Sequence, residues 1–561
     1  MAVPVVTAHK RGRDPGEAAS KLFKRYAVVV VVIIAAVLVA NFLPSAKKTV
    51  ASTTNSSGGG TANPSGTSGA PGQGTAGTTV SGVKCGPGVR QVPWSHYAPI
   101  CVPAWHGNNK GATAAGVTGS TITLTYREAA STELQAIYSI VPASVIGTNE
   151  QAIQTMQAYI NVFNKQFELY GRKVVLKTFT GKGDFVSELN GQDQQGAAED
   201  AVTAKGLGAF ADSSGIDATP VYTQALANQH VVGLTIFGGP DQEFKQSSPY
   251  LYTTNTVCSK GNAQTEQLVE RTLNTTKTSF AGDVALNGKK RVFGFIGTGT
   301  AQSQQCDAEV IADLKAKGIS MALPPVSMSL SGTTLTEEAN TAIGQFKAAG
   351  VTTILCSSCD FFTPIFLTKA ADGQNYHPEW IETDFLDALT ALQSPTQLSS
   401  VQGFGNQSPP KQSTEAYKAF QMGAPAGTQI IPSFSYVYEP LLMFFAAVQA
   451  AGPDLTPETF QQAFRSLPNS LPGGMYGNWG FTPTSFDPNS GYGVAHWSNT
   501  ARSAIDGKPG AWLNCNNGQQ YNFDGSPPQL PLGQELNCPA AGSTAASTPP
   551  TGNAAVKPPG T

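Results

Sequence analysis

The stretch GKKRVFGFIGTGTAQSQQCDAEVIADLKAKGIS occupies residues 288–320 and decides the fold class. It opens with a short apolar run, RVFGFIG (291–297), which has the length and composition of a buried strand. A helical pattern follows over 307–317, with Ile311 and Leu314 on one face and Gly318 behind it as a stop. A strand followed by such a helix predicts one unit of a parallel α/β sheet.

The same alternation of strand and helix continues on both sides of this stretch. Helical patterns cover 150–170 and 340–349. Further apolar runs typical of buried strands are TITLTYR (121–127), KVVLKTF (173–179), LGAFAD (207–212), VVGLTIF (231–237) and VTTILCS (351–357). The alternation predicts parallel sheets covered by helices on both faces. Because the whole is too long for one such sheet, we expect two lobes with a ligand cleft between them, at the carboxyl ends of the strands.

Composition excludes two classes of protein. The 561 residues contain 35 Lys plus Arg and 37 Asp plus Glu, for a formal net charge of -2. A nucleic-acid partner is not expected, because its phosphates require a basic field that this charge balance does not supply. With 40% hydrophobic residues the chain is also unlike a fully disordered protein.

The N-terminal part has the pattern of a membrane anchor. Residues 26–43 read YAVVVVVIIAAVLVANFL, without a charged residue, and are close to the roughly 20 apolar residues of a transmembrane helix. The preceding segment, 1–25, is basic and is therefore predicted to be cytoplasmic, which places the rest of the chain outside the cell membrane as a single-pass protein. The alternative is a cleaved signal peptide, since small residues follow at 44–46.

Two segments have the composition of disordered chain. Residues 44–84 form a linker rich in Gly, Ser and Thr, and residues 539–561 form a similar tail. A glycosylated or wall-spanning stalk is the alternative interpretation of both.

The order of the predicted elements resembles the type I periplasmic binding proteins, in particular the branched-chain amino-acid (leucine/isoleucine/valine) substrate-binding proteins of ABC transporters. The resemblance lies in the order of many weak motifs, at 116–126, 209–239, 248–264, 288–320, 349–373 and 436–467. It implies an α/β fold of two lobes joined by a hinge, a small-molecule ligand, an ABC-transporter permease as partner, and no cofactor.

The resemblance also implies how the chain is divided between the lobes. Lobe 1 would consist of residues 121–255 with 382–467, and lobe 2 of residues 256–381 with 468–515. A Cys-containing extension, 85–120, would precede the lobes, and a Cys-closed extension, 516–538, would follow them.

Lobe 1 offers two loops as candidate ligand-binding sites. Ser213, Ser214 and Gly215 follow a predicted strand, and in the family the equivalent loop helps to hold the ligand carboxylate; capping of the next helix is the alternative role. Phe237, Gly238 and Gly239 lie in a loop whose glycines permit close backbone approach. Relatives that bind amino acids tend to carry Ala and Thr there, and this departure argues against an ordinary amino-acid ligand.

Lobe 2 offers three further candidates on the same resemblance. Gln305 lies about where the family places an aromatic ligand contact, and Asp360 lies in the next loop after a strand. Asp384 matches the acidic residue that pairs with a ligand ammonium, which is a strong interaction where lobe closure excludes water. The alternative for both carboxylates is a solvated or helix-capping role.

All eight cysteines follow the apolar segment, and an even number in an exported region predicts disulfides. Sequence proximity favours Cys85–Cys101 and Cys515–Cys538, the family fold would bring Cys258 to Cys306, and Cys356–Cys359 then remains. A redox role for this last CxxC pair is the alternative to a structural bond. No metal site is predicted, because no His joins a Cys at a zinc spacing.

Three functions compete at this point. The leading hypothesis is a membrane-tethered solute-binding protein that captures an amino acid or an amide-like ligand for an ABC importer. A ligand sensor or scaffold of the same fold is the second. An enzyme is not expected, because the chain has no GxSxG, HExxH or Walker A motif.

Overall fold

The computed structural model describes residues 76–539, apart from 330–333, 361, 384–386, 407–413 and 504–506. The predicted cytoplasmic segment 1–25, the membrane anchor 26–43 and most of the linker and tail lie outside the described residues. Among the residues that are described, none of the helices combines the length and the apolar composition needed to cross a membrane.

Strands and helices alternate along most of the described chain. The strands are β1 (Gly77–Thr78), β2 (Lys84–Cys85), β3 (Thr121–Glu128), β4 (Lys173–Thr180), β5 (Ala211–Asp212), β6 (Val232–Thr235), β7 (Leu251–Thr253), β8 (Phe293–Thr298), β9 (Val326–Met328), β10 (Thr353–Ser358), β11 (Glu379–Glu382), β12 (Val401–Gly405), β13 (Gly491–Arg502), β14 (Pro509–Asn514) and β15 (Tyr521–Asn522).

The α-helices are α1 (Ser131–Tyr138), α2 (Ala143–Ile146), α3 (Asn149–Gln166), α4 (Phe185–Leu189), α5 (Gln194–Gly206), α6 (Pro220–Asn228), α7 (Asp241–Gln246), α8 (Cys258–Leu268), α9 (Ala301–Ala316), α10 (Leu335–Ala348), α11 (Thr363–Gly373), α12 (Asp387–Thr390), α13 (Glu415–Gly423), α14 (Ser435–Ala451) and α15 (Pro457–Arg465).

Lobe 1 is built on a five-stranded parallel sheet in the order β4-β3-β5-β6-β7. Six consecutive residues of β3 are buried, as expected for a strand that is covered on both faces. Helices α3 and α14 pack together beside the sheet through aromatic side chains, and the ring centroids of Phe163 and Phe445 lie 5.2 Å apart. The parallel sheet predicted for this part of the chain is therefore present.

Lobe 2 is built on a mixed sheet in the order β14-β13-β12-β11-β10-β8-β9, with β15 paired to β13. Strands β8 to β12 are parallel to one another. Strands β13 to β15 are added antiparallel. Arg291 and Glu379 form an ion pair of 2.7 Å that is almost fully buried in this lobe. The antiparallel strands were not predicted from the sequence.

The predicted elements exist, but some of their limits shift. The strand predicted over 207–212 shortens to β5, because α5 continues through Gly206. The helix predicted over 307–317 begins six residues earlier, as α9, because Thr300 caps it: Thr300 Oγ1 accepts a hydrogen bond of 3.1 Å from Ser303 N.

The division into lobes differs from the expected one at two places. Strand β12 pairs with β11 in the lobe-2 sheet, so the chain returns to lobe 1 only between β12 and α13, not at residue 382. Residues 475–479 belong to the lobe-1 core rather than to lobe 2. The reason is the N-terminal extension, from which Tyr97 donates a 2.7 Å hydrogen bond to Tyr476 O and packs 4.6 Å from the ring of Trp479.

The segments that cross between the lobes are tied together at one carbonyl group. Thr254 O accepts hydrogen bonds from Asn406 Nδ2 at 3.2 Å and from Asn489 Nδ2 at 2.9 Å. These three residues stand on different crossings, and we call them the hinge cluster. Beside it, Lys260 Nζ lies 2.7 Å from Asp487 Oδ1, which links the first turn of α8 to the last crossing.

Four disulfides include all eight cysteines of the chain. The pairs are Cys85–Cys101, Cys258–Cys306, Cys356–Cys359 and Cys515–Cys538. They are the four pairs that the sequence interpretation favoured. Two of them close the terminal extensions, and the other two lie at the cleft side of lobe 2.

Candidate functional site

A cavity of about 290 Å³ lies between the lobes, at the carboxyl ends of β6, β8 and β10. This is the position expected for a ligand in open α/β sheets. Its walls include apolar side chains and neutral polar groups from both lobes, among them Leu189, Val221, Ile236, Phe237, Asn255, Thr256, Asn262, Gln264, Thr298, Thr300, Gln302, Ser303, Ser357, Ser358, Thr383, Asn406 and Tyr436.

The lobe-1 wall is formed by the loop after β6. Thr235 Oγ1 donates to Ala218 O at 2.6 Å and accepts from Phe237 N at 3.1 Å, which fixes the start of the loop. Gly238 lies against the backbone of the first crossing, and a Cβ atom added to it would be 2.2 Å from Thr256 O. The glycine is therefore required by the close approach of loop and hinge, as the sequence suggested.

Replacing Gly238 with alanine is expected to lower the free energy of unfolding by about 1–3 kcal/mol, because a fixed backbone oxygen must move. Gly239→Ala is the matched control. The added Cβ would meet Phe244 Cε2 at 3.5 Å, which is an ordinary contact. The free energy of unfolding should therefore fall by less than about 1 kcal/mol in this variant. Urea unfolding of both variants measures the difference, and equal losses would contradict the role given to Gly238.

The lobe-2 wall is formed by the end of β8 and the first turns of α9. Gln302 and Ser303 line the cavity, and Asp307 follows one turn later, 4% exposed. Burial raises the pKa of Asp307 to about 6, and the nearby Ser358 hydroxyl opposes this shift. At neutral pH the Asp307 carboxylate is thus mostly ionised at the wall of the cavity.

Glu243 and Gln302 approach each other across the cavity from opposite lobes. Burial raises the pKa of Glu243, on α7 of lobe 1, above its usual value, and the Gln302 side chain of lobe 2 opposes this shift. Separation of the lobes would part these two side chains.

The charged residues that line the cavity are all acidic. Glu188, Glu243, Asp307 and Asp360 belong to its walls, whereas no Lys, Arg or His does among the residues that the structure describes. Glu188 is paired with Arg127, which lies behind the wall. The cavity therefore presents an acidic and hydrogen-bonding environment.

Four of the sequence-predicted residues line this cavity: Phe237, Gly238, Gly239 and Asp360. Asp360 also caps α11, because its Oδ1 accepts hydrogen bonds from Phe362 N at 2.6 Å and from Thr363 N at 3.0 Å, while Oδ2 accepts one from the Thr363 hydroxyl. The carboxylate of Asp360 is thus already engaged in the capping role that was its alternative.

The structure does not bring Ser213, Ser214 and Gly215 to the cavity. All three are buried inside lobe 1, where Ser214 Oγ donates to Asp212 Oδ1 at 2.5 Å and accepts from Arg127 N at 2.8 Å. The Ser214 hydroxyl thus serves a network of buried charges, and this use differs both from ligand binding and from simple helix capping.

Of the remaining two candidates, only Gln305 is described, and it does not line the cavity. Gln305 is exposed on α9 and its Nε2 donates to Glu309 Oε1 at 3.1 Å, because the face of the helix toward the cavity carries Gln302 and Ser303 instead. Asp384 lies outside the described residues.

Sequence reasoning missed Asp307, Gln264 and Glu243. Asp307 directly follows Cys306, which the family resemblance places with Cys258 at the cleft edge of lobe 2, so its position was accessible from the cysteine pattern. Glu243 stands in the six-residue helix α7, which is too short to show an apolar periodicity.

Comparison with known structures finds the same architecture in other proteins. A fatty acid ABC transporter substrate-binding protein from Thermomonospora curvata has 14% identity, with 75% of this chain and 97% of that chain covered and a TM-score of 0.50. An ABC transporter substrate-binding protein from Aeropyrum pernix has 11% identity, coverage of 70% and 95%, and a TM-score of 0.50. At such identities the likeness shows a shared fold.

A leucine-, isoleucine-, valine-, threonine- and alanine-binding protein from Brucella ovis is less similar in structure, with 15% identity, coverage of 74% and 99%, and a TM-score of 0.48. No curated protein sequence matches the chain. A sequence model of a family described as periplasmic binding protein matches residues 143–502, which is more than half of the 561 residues. The resemblance inferred from the order of the motifs is confirmed, and the chain belongs to the periplasmic binding protein family.

Proposed function

We propose that this chain is an extracytoplasmic solute-binding protein that captures a small amino acid or amide-like ligand and presents it to an ABC importer. One observation carries the proposal: a cavity of about 290 Å³ has walls from both lobes and lies directly at the hinge cluster. A ligand that contacts both walls favours the closed arrangement of the lobes, which a permease can then distinguish from the open one.

The proposal includes attachment to the cell membrane. It is supported by the uncharged run 26–43 and by the basic segment before it, which would place the N-terminus in the cytoplasm and the two lobes outside. The linker 44–84 would then let the lobes move near the membrane surface.

Thermal unfolding of the protein against amino acids, short peptides, amides and urea-like solutes tests the proposal. We expect a rise in Tm that grows with the concentration of one solute class, because a ligand that binds only the folded state stabilises it. Gln302→Ala, which removes a cavity side chain, should weaken this shift, whereas Glu309→Ala, on the exposed face of the same helix, should not.

Mass spectrometry of small molecules that copurify with the protein, and fractionation of cells that express the full chain, complete the test. We expect a bound solute and recovery of the chain with the membranes. Absence of any stabilising or copurifying solute would contradict the solute-binding role, and recovery in the soluble fraction would contradict the tether.

A further inference from the structure

The lobe-2 wall of the cavity holds a buried carboxylate without a cationic partner. Asp307 lies beside Gly297 and Ser358: a Cβ atom on Gly297 would be 1.9 Å from Asp307 Oδ2 and 2.7 Å from Ser358 Oγ. The ion pairs of the described residues do not include Asp307. The Ser358 hydroxyl nearby is neutral and makes no hydrogen bond among the described residues, so the negative charge of Asp307 is uncompensated by the protein.

A second acceptor on the same wall lacks a donor. Gln264 is 6% exposed and lines the cavity, and its Oε1 accepts no hydrogen bond from any residue that the structure describes. A buried carbonyl oxygen in this situation carries a free-energy penalty unless a donor reaches it. Because Gln264 lines the cavity, a bound molecule can supply that donor after a small rotation of the amide group.

The helices that carry these two acceptors are fixed to each other. The disulfide Cys258–Cys306 joins α8 to α9, and Asn262 Nδ2 donates to Cys306 O at 3.1 Å. Asp307 follows the bridged cysteine of α9 directly, and Gln264 stands in the later turns of α8. The two acceptors therefore belong to one rigid wall, formed before a ligand arrives.

The other charged groups around the cavity oppose an anionic ligand. Glu243 faces the cavity from lobe 1, and Asp360 lies on the lobe-2 side with its oxygens used by the cap of α11. A ligand carboxylate or phosphate would meet these groups in a partly buried space without a Lys, Arg or His among the described lining residues.

We propose that the cavity selects a small organic cation with N–H donors, a primary ammonium or a guanidinium group, which Asp307 and Gln264 Oε1 bind. This inference rests on the proposed solute-binding function, and it replaces an amino acid or amide by an organic cation as the ligand class. Charge-assisted hydrogen bonds to Asp307 supply most of the affinity. The neutral acceptor of Gln264 adds selectivity, because it rejects a cation that has no N–H group.

The test is isothermal titration of the purified protein at pH 8, where Asp307 is ionised. The probes are n-butylammonium, agmatine, choline, butyramide and butyrate. We expect binding of n-butylammonium or agmatine, and at least 10-fold weaker binding of choline, which has no N–H donor, and of butyrate. Asp307→Asn should weaken binding of the cation about 10- to 100-fold. Asp313→Asn, an exposed carboxylate on the same helix, should leave it unchanged.

Gln264→Leu provides a second variant that removes the acceptor while keeping the size of the side chain. We expect this variant to reduce the difference in binding affinity between n-butylammonium and choline. If Asp307→Asn does not fold, Gln264→Leu alone tests the cation inference. Binding of butyrate or butyramide in preference to the cations, or full affinity in both variants, would overturn the cation inference and leave solute binding intact. If no copurifying or screened solute of any class binds, both proposals fail.

Discussion

Replacing Arg127 with methionine is expected to lower the free energy of unfolding by about 3–5 kcal/mol. The Arg127 side chain is 3% exposed, and its two terminal nitrogens donate to both oxygens of Glu188 at 2.7 and 2.8 Å. Asp200 Oδ2 lies 3.2 Å from the same guanidinium. Methionine fills similar space but leaves several buried carboxylates without their cation, and this loss is what destabilises the fold.

The loss should depend on pH. Burial raises the pKa of Asp212 to about 6 and that of Asp217 to about 7, and the charge of Arg127 opposes both shifts. A carboxyl group with a raised pKa contributes stability that is present at low pH and is lost as the pH rises through that pKa. We therefore expect Arg127→Met to cost more at pH 8, where both groups must ionise without the guanidinium, than at pH 5.5.

Lys182→Met is the matched control for the effect of Arg127. Lys182 lies 3.0 Å from Glu199, but the two side chains are 66% and 43% exposed, so water already solvates both charges. The free energy of unfolding should therefore fall by less than about 1 kcal/mol in Lys182→Met. Chemical unfolding at the two pH values measures all of these differences. A cost for Arg127→Met as small as that of Lys182→Met would show that the buried network is not a stabilising one.

Removing the Cys258–Cys306 disulfide by a double substitution with serine is expected to cost about 4 kcal/mol. The bond closes a loop with a sequence separation of 48, and the unfolded chain gains the corresponding freedom when the bond is absent. The wall that carries Asp307 and Gln264 would also lose its covalent tie, so we expect weaker ligand binding in the same variant. Guanidinium unfolding under non-reducing conditions measures the change in stability.

The Cys356–Cys359 bond is the internal control for loop length. This bond joins cysteines with a sequence separation of only 3. The same chain-entropy relation therefore gives a stability loss of about 2 kcal/mol when serine substitution removes the bond. The expected order is therefore a larger loss for Cys258 and Cys306 than for Cys356 and Cys359. The reverse order would mean that local strain or packing, not chain entropy, determines what these bonds contribute.

Much of the architecture could be predicted because buried parallel strands are nearly continuous apolar runs. The run 231–237 is visible in the sequence for this reason, as is the run 291–297 that precedes α9. The path of the chain between the lobes was harder. Strand β12 is only five residues long, VQGFG, and its pairing with β11 depends on a partner about 20 residues away, which no local pattern indicates.

The site was predictable on its lobe-1 wall and less so elsewhere. The glycines at 238 and 239 mark a close backbone approach, which is a local property of the chain. The burial of Ser213 and Ser214 cannot be predicted from the local sequence. It depends on Arg127, which lies beside them and pairs with Glu188, 61 positions away in the sequence. Burial of a charge network is a tertiary effect, and a resemblance between loops does not reveal it.

Because the disulfides account for every cysteine in the chain, an introduced cysteine would be its one reduced thiol. Gln304, exposed on the first turns of α9 beside the cavity, is a suitable position for it. A maleimide fluorophore attached there would change its emission as the lobes move, without any substitution of a native cysteine. The protein can thus be converted into an optical reporter of its own ligand, and an unknown solute can be followed through fractionation of a cell extract by light alone.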